Sequence, residues 1–180
     1  MPNWVKNNLR IKLNGEKALE VLEMIKDEAG NMTFSKVSPL PEELEDTTSP
    51  VPDNVAKKER RRLQKLYGAD NWYDWQCNNW GCKWDASESS FYQQDGYDMV
   101  TFQTAWTPPF AFMKTLSETF PKVTFELQFE EESETLFGKA IFQNGIINVY
   151  APADPREDTS EILNAIWDEE WVEDKFWKRS

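Results

Sequence analysis

Asp95-Gly96 and Asn144-Gly145 each sit between two runs of strand-forming residues. A two-residue connection of this kind closes antiparallel strands, because both positions accept the left-handed backbone that matches strand twist. Two such hairpins commit the second half of the chain to an antiparallel sheet. The first joins 91–94 to 97–105, where Val100, Phe102, Thr104 and Trp106 share a face. The second joins 137–142 to 146–150. Between them Val123, Phe125, Leu127 and Phe129 alternate with Thr124, Glu126, Gln128 and Glu130, the clearest strand in the chain.

The first half adds helices. Val5, Leu9, Ile11 and Leu13 alternate with polar residues, and Asn14-Gly15 ends that strand. Ala18, Leu22, Ile25 and Ala29 then recur at helical spacing, and Gly30 closes the helix. Met32 to Val37 reads as a second strand, completing β-α-β. Pro39-Leu40-Pro41 fixes an extended path, and 45–52 is a polar loop. Asp53 is placed to cap a helix that runs to Tyr67 and closes at Gly68. On its wheel Val55, Ala56, Leu63, Leu66 and Tyr67 fall in one arc; Lys57, Lys58, Arg60, Arg61, Arg62 and Lys65 fill the other. Such a face meets phosphates or an acidic partner, or is solvated charge.

Asp70 or Asn71 starts the next helix, which runs towards Gly81. Four of the nine tryptophans lie between Trp72 and Trp84. Each indole buries a large area and wants a partner for its N–H. Two readings follow. Trp72 and Trp75, with Asn79 and Lys83 as polar handles, line a contact surface, or the stretch is a satellite core beneath an insertion. Thr107 as cap, with Pro108 at the first helical position, starts a helix with Phe112, Met113, Leu116 and Phe120 as its stripe. Pro152 and Pro155 punctuate a linker. Asp158 with Glu161 fits a capping box for a last helix bearing Ile162, Leu163, Ile166, Trp167 and Trp171 beside Asp168, Glu169 and Glu170. That helix either docks on the domain or offers a face to a partner.

The element order predicts an α+β, ferredoxin-like fold: an antiparallel sheet with helices on one face. The domain is expected over 1–150, with a helical insertion at about 45–86. Residues 151–180 are expected to be a linker and an acidic C-terminal helix.

Charge and composition narrow the function. The net charge is −12. Residues 1–90 carry 13 basic and 15 acidic side chains, and residues 91–180 carry 7 and 17. An acidic surface repels phosphates and suits a basic protein partner. The chain has no histidine, and its two cysteines, Cys77 and Cys82, lack the companions of a zinc site, so no metal and no cofactor is expected. No apolar run reaches the ~18 residues of a membrane span, and the first residues carry no secretory pattern, so the expected compartment is the cytoplasm.

Four motifs carry a family resemblance. Met1-Pro2-Asn3-Trp4, Pro39-Leu40-Pro41-Glu42-Glu43-Leu44, Asn79-Trp80-Gly81-Cys82-Lys83-Trp84-Asp85 and Thr104-Ala105-Trp106-Thr107-Pro108-Pro109, in that order, resemble the YubB ferredoxin-like proteins of phages and conjugative plasmids. The resemblance covers roughly residues 1–142. Val5 stands where that family often has cysteine, and Cys82 where it often has threonine. The resemblance implies the fold and a mobile-element origin, and supplies no catalytic residues.

The leading expectation is therefore a non-enzymatic accessory protein that binds a host protein, a nucleic-acid-handling or defence complex, through acidic and aromatic surface, and inhibits a defence system as an anti-CRISPR or other anti-defence protein. The candidate contacts are Trp72, Trp75, Asn79, Lys83, Arg60, Arg61, Arg62, Asp168, Glu169, Glu170 and Trp171. One alternative is direct nucleic-acid binding by the basic helix 55–67 with stacking tryptophans. Another is a carboxylate-dependent hydrolase built on Asp85 with Glu88 or Asp98.

Overall fold

The computed structural model describes residues 3–12, 17–133 and 136–150. In chain order these form β1 (Trp4–Lys12), α1 (Lys17–Met24), α2 (Glu42–Glu45), α3 (Lys57–Tyr67), α4 (Trp72–Asn79), β2 (Ser87–Gln94), β3 (Tyr97–Ala105), α5 (Phe110–Thr119), β4 (Thr124–Glu131), β5 (Phe137–Gln143) and β6 (Ile146–Tyr150).

The strands make one six-stranded sheet in the order β2-β3-β1-β4-β5-β6, and every neighbouring pair is antiparallel. The four strands β2-β3-β1-β4 have the order of two interleaved, split β-α-β units. β1-α1-β2 is one unit and β3-α5-β4 the other. The β5–β6 hairpin extends the sheet beyond β4. The fold is α+β and ferredoxin-like, as the element order predicts.

Both hairpin turns have the backbone their sequences demand. Asp95 and Gly96 have φ 50° and 80°, and Asn144 and Gly145 have φ 50° and 75°. β4 alternates without a break, burying Phe125, Leu127, Phe129 and Glu131.

The second strand of the first unit is not where the sequence suggests. Met32 to Val37 forms only a single bridge, Lys26 with Met32. Beyond it the backbone turns, with the N–H groups of Val37 and Ser38 both donating to the Phe34 carbonyl. The turn drives Phe34 into the centre of the core. Its ring packs on Phe112 at 4.3 Å and edge-on to Trp80 and Phe102 at 5.8 and 6.1 Å. The sheet position is taken by β2, so the whole stretch from α1 to β2 is crossover. Asp53 does not cap α3, whose N-cap is Ala56. Pro109, not Thr107, precedes α5. Glu42–Glu45, between the extended path of the prolines and the polar loop, makes one helical turn that buries Leu44.

One face of the sheet carries Leu9, Val100, Leu127, Ala140 and Phe142 into a contiguous core. α1 adds Val21, α3 Leu63, α4 Trp75, and α5 Phe112, Met113 and Leu116 to the same core. Every described helix thus contributes to that face.

A candidate aromatic contact surface

The tryptophan stretch divides between core and surface. Asn71 is the N-cap of α4, its side chain accepting from the Asp74 N–H at 2.9 Å. Trp75 faces inward and is 7% exposed, edge-on to Trp80 at 5.8 Å. It is a core residue and not part of a contact surface. Trp72 is half-buried against Tyr73, and its backbone N–H donates to Thr47 Oγ1. Asn79 turns back on its own helix, donating to the Trp75 carbonyl at 2.8 Å. Neither serves as an outward handle.

After Trp80 the chain is pinned from two sides. Gly81 has φ +87°, and a Cβ there would lie 3.0 Å from the Phe110 N and 3.1 Å from the Ala111 N. Only glycine permits that approach to the start of α5. Thr107 Oγ1 donates to the Gly81 carbonyl, and the Phe112 N–H to the Trp80 carbonyl. On the other side Asp85 accepts four hydrogen bonds, from Thr33 Oγ1, the Phe34 N–H, Ser35 Oγ and the Ala86 N–H.

Between these clamps Lys83 and Trp84 point out. The Lys83 ammonium lies 4.2 Å from the Trp84 ring centre and 5.1 Å from that of Trp106. Trp4 packs beside Trp84 at 6.1 Å. Two indoles facing one ammonium, with the third packed on Trp84, form a single patch at the end of β1 and β3, with Trp84 37% and Trp106 44% exposed. Alternation along β3 predicts Trp106 on the buried face with Val100, Phe102 and Thr104. Its backbone instead adopts φ 69°, which breaks the alternation and throws the ring outward. Lys83 is the one residue of this patch that sequence reasoning singled out as a contact. The others are separated along the chain and meet because Trp4 pairs with Ala105 in the sheet.

Two of the six basic side chains of α3, Arg60 and Arg62, are committed internally. Arg60 Nε donates to Asp70 Oδ2 at 2.7 Å, and the Asp70 side chain is almost fully buried. Arg62 pairs with both Glu59 and Glu43. Arg61 stays exposed with no ion pair among the described residues. Burial pushes the Asp70 carboxyl up, but the bonds from Arg60 and Asn71 outweigh it and hold the group below its ordinary value. A carboxyl depressed in the folded state adds stability above about pH 4, and loses it as pH falls through the folded value. Arg60→Ala should therefore cost about 1–3 kcal/mol at pH 7, with the gap to wild type narrowing below about pH 4. Arg61→Ala should stay within about 0.5 kcal/mol. Urea unfolding at pH 7 and pH 3 checks both.

Glu88 accepts from Gln103 Nε2 and Asp98 from Gln93 Nε2, so neither is aimed at Asp85. Asp85 and Glu88 do line a polar hollow of about 450 Å³ with Asp27 and Asn31. Among the described residues no three His, Cys, Asp or Glu side chains converge as metal ligands. Burial raises the Cys77 thiol and pushes that of Cys82 up to about 12, the reverse of an activated nucleophile. No described helix is long and apolar enough to cross a membrane. Asp168, Glu169, Glu170 and Trp171 lie outside the described residues.

The family model for the ferredoxin-like domain in Api92-like protein matches residues 79–171, over half of the chain. The chain belongs to the Api92-like family. Among solved structures it is similar to a protein Api92 from Yersinia pseudotuberculosis, at 10% identity and a TM-score of 0.47, over 85% of this chain and 99% of that one. No curated protein matches. In this Api92-like chain Trp84 and Trp106 fall within the matched residues and Trp4 lies before them.

Proposed function

We propose that this Api92-like protein is a non-enzymatic binding module that takes a protein partner through Trp4, Lys83, Trp84 and Trp106. The observation that carries the reading is Trp106. A bulky residue in the left-handed region costs on the order of 1–3 kcal/mol, and such strain concentrates where function holds it. Here it exposes a ring that the strand pattern would otherwise bury. Tryptophans flanking one cation are the composition of interface hot spots.

The finer resemblance to phage and plasmid YubB proteins extends the proposal. The partner is then a host protein in the host cytoplasm, and inhibition of a defence system is the expected role. A net charge of −12 favours a partner with a basic surface, such as a nucleic-acid-handling complex. Direct nucleic-acid binding ranks second, because Arg60 and Arg62 already hold carboxylates of this chain.

Capture of tagged protein from host cells tests the proposal. Wild type should recover a stoichiometric partner, and Trp84→Ala with Trp106→Gly should lose it at least tenfold. The same variant should unfold within about 1 kcal/mol of wild type, since glycine relieves the strain at position 106. A partner held equally by the variant, or no partner at all, sinks the proposal.

A further inference from the structure

The two edges of the sheet are built differently. At one edge β2 carries the carboxylate of Glu88, and a bulge between Ser87 and Ser90, with Glu88 at φ 47°, interrupts its ladder. A charge and a bulge are devices that keep a further strand from adding. At the other edge β6 has neither. Ile146-Ile147-Asn148-Val149-Tyr150 holds no charge and no proline. Among the described residues it pairs with β5 alone. Ile146 is 63% exposed, Ile147 36% and Val149 47%.

The turn fixes which backbone groups of β6 are spare. Asn144-Gly145 joins the strands by two residues, so Gln143 and Ile146 exchange hydrogen bonds. Alternation then aims the N–H and C=O of Ile146, Asn148 and Tyr150 at β5, and those of Ile147 and Val149 outward.

We propose that this edge pairs with β6 of a second copy, antiparallel about Asn148. That register sets Ile147 opposite the second copy's Val149, and Val149 opposite the second copy's Ile147. Each pair exchanges two bonds, so every outward N–H and C=O of both strands is satisfied. A shift of two residues leaves one outward residue of each strand without a β6 partner. Ile147 and Val149 lie opposite Phe142 and Ala140, on the helix-bearing face. In the dimer they cluster there, β-branched against β-branched.

Charge selects a copy as the occupant. Each chain carries −12, so two copies meet best where neither presents a carboxylate, and β6 is such a place. A basic partner finds no charge on this strand to read. The interface of one five-residue strand is small, so the dimer is a weak one. The patch of Trp4, Lys83, Trp84 and Trp106 lies at the end of β1 and β3, three strands from this edge, and stays free. A dimer therefore offers two such patches to one partner.

Sedimentation equilibrium of the full chain provides the test. The mean mass should rise from one chain towards two between micromolar and near-millimolar concentration. Raising salt from about 0.05 M to about 0.5 M should tighten the dimer roughly threefold, because screening weakens the repulsion of two acidic chains. Val149→Pro removes an outward N–H and no bond to β5, a change that an edge strand tolerates. It should weaken the dimer at least tenfold. Ile147→Lys, which keeps every N–H, should do the same. In a Cys77→Ser background, Asn148→Cys should form a disulfide between copies on oxidation, since this non-hydrogen-bonded pair brings its Cα atoms to about 4.5 Å. Ile147→Cys should do so at least tenfold more slowly. A single-chain mass at every concentration overturns the proposal. So does a dimer indifferent to Val149→Pro and Ile147→Lys, a dimer that salt dissolves, or equal cross-linking at 147 and 148.

Discussion

Trp80→Ala should lower the unfolding free energy by about 3–5 kcal/mol, the largest single loss expected in this chain. Trp80 is buried where three parts of the structure meet. Its ring is edge-on to Phe34 and Trp75, both at 5.8 Å. Its indole N–H donates to the Ser38 carbonyl at 2.8 Å. Truncation removes the ring contacts, opens a cavity between crossover and sheet, and orphans that carbonyl. In a domain of this size the melting temperature should fall by roughly 10 °C or more. Trp80→Phe separates the two effects. It restores most of the packing but leaves Ser38 unbonded, so a residual loss of about 1–3 kcal/mol should remain. Urea denaturation measures both. A loss below about 1 kcal/mol for the alanine variant would show that the crossover does not depend on this ring.

Asp85→Ala should cost about 2–4 kcal/mol, and for reasons of architecture. One carboxylate gathers two backbone N–H groups, Phe34 at 2.6 Å and Ala86 at 2.7 Å, and two hydroxyls, Thr33 at 2.8 Å and Ser35 at 3.0 Å. These bonds hold the turn that buries Phe34 against the start of β2. Charge-assisted bonds are each stronger than neutral ones, and half-exposed donors recover part of the loss from water. Asp85→Asn keeps one accepting oxygen and sets an NH₂ against donors, so it should lose about half as much. Unfolding curves for both variants give the result. If Asp85→Asn left stability unchanged and abolished a hydrolytic activity, the carboxylate would be catalytic and the bracket incidental.

What the sequence made legible was local. Asn144-Gly145 announces its turn because the left-handed backbone is a property of those two residues. The alternation of β4 announces its buried face in the same way. Asn71 caps α4 because the required chemistry lies three residues away. The readings that failed depended on distant neighbours. Met32 to Val37 has strand-like residues, but whether it joins a sheet depends on β2, more than fifty positions later. Asp53 has capping chemistry, but α3 begins beyond its reach at Lys57. The indole patch unites positions 4, 84 and 106 through sheet register, and one positive φ at Trp106 reverses the side that alternation assigns. No periodicity encodes a single residue stepping out of it.

The place of β1 has a consequence for how the molecule is made. It is made before every other strand of this sheet, and it lies between β3 and β4. Trp4 waits for Ala105, and Val5 for both Thr104 and Glu131. At ribosomal rates of about 5–20 residues per second, the strand spends on the order of ten seconds without its neighbours. For that interval Val5, Leu9 and Ile11, which end fully enclosed, are uncovered on a nascent chain. The helices of the crossover can form meanwhile, but the sheet closes around its oldest strand only after β4 has emerged. Birth of this protein is thus a long apprenticeship for β1, in which chaperone capture and premature association compete with folding.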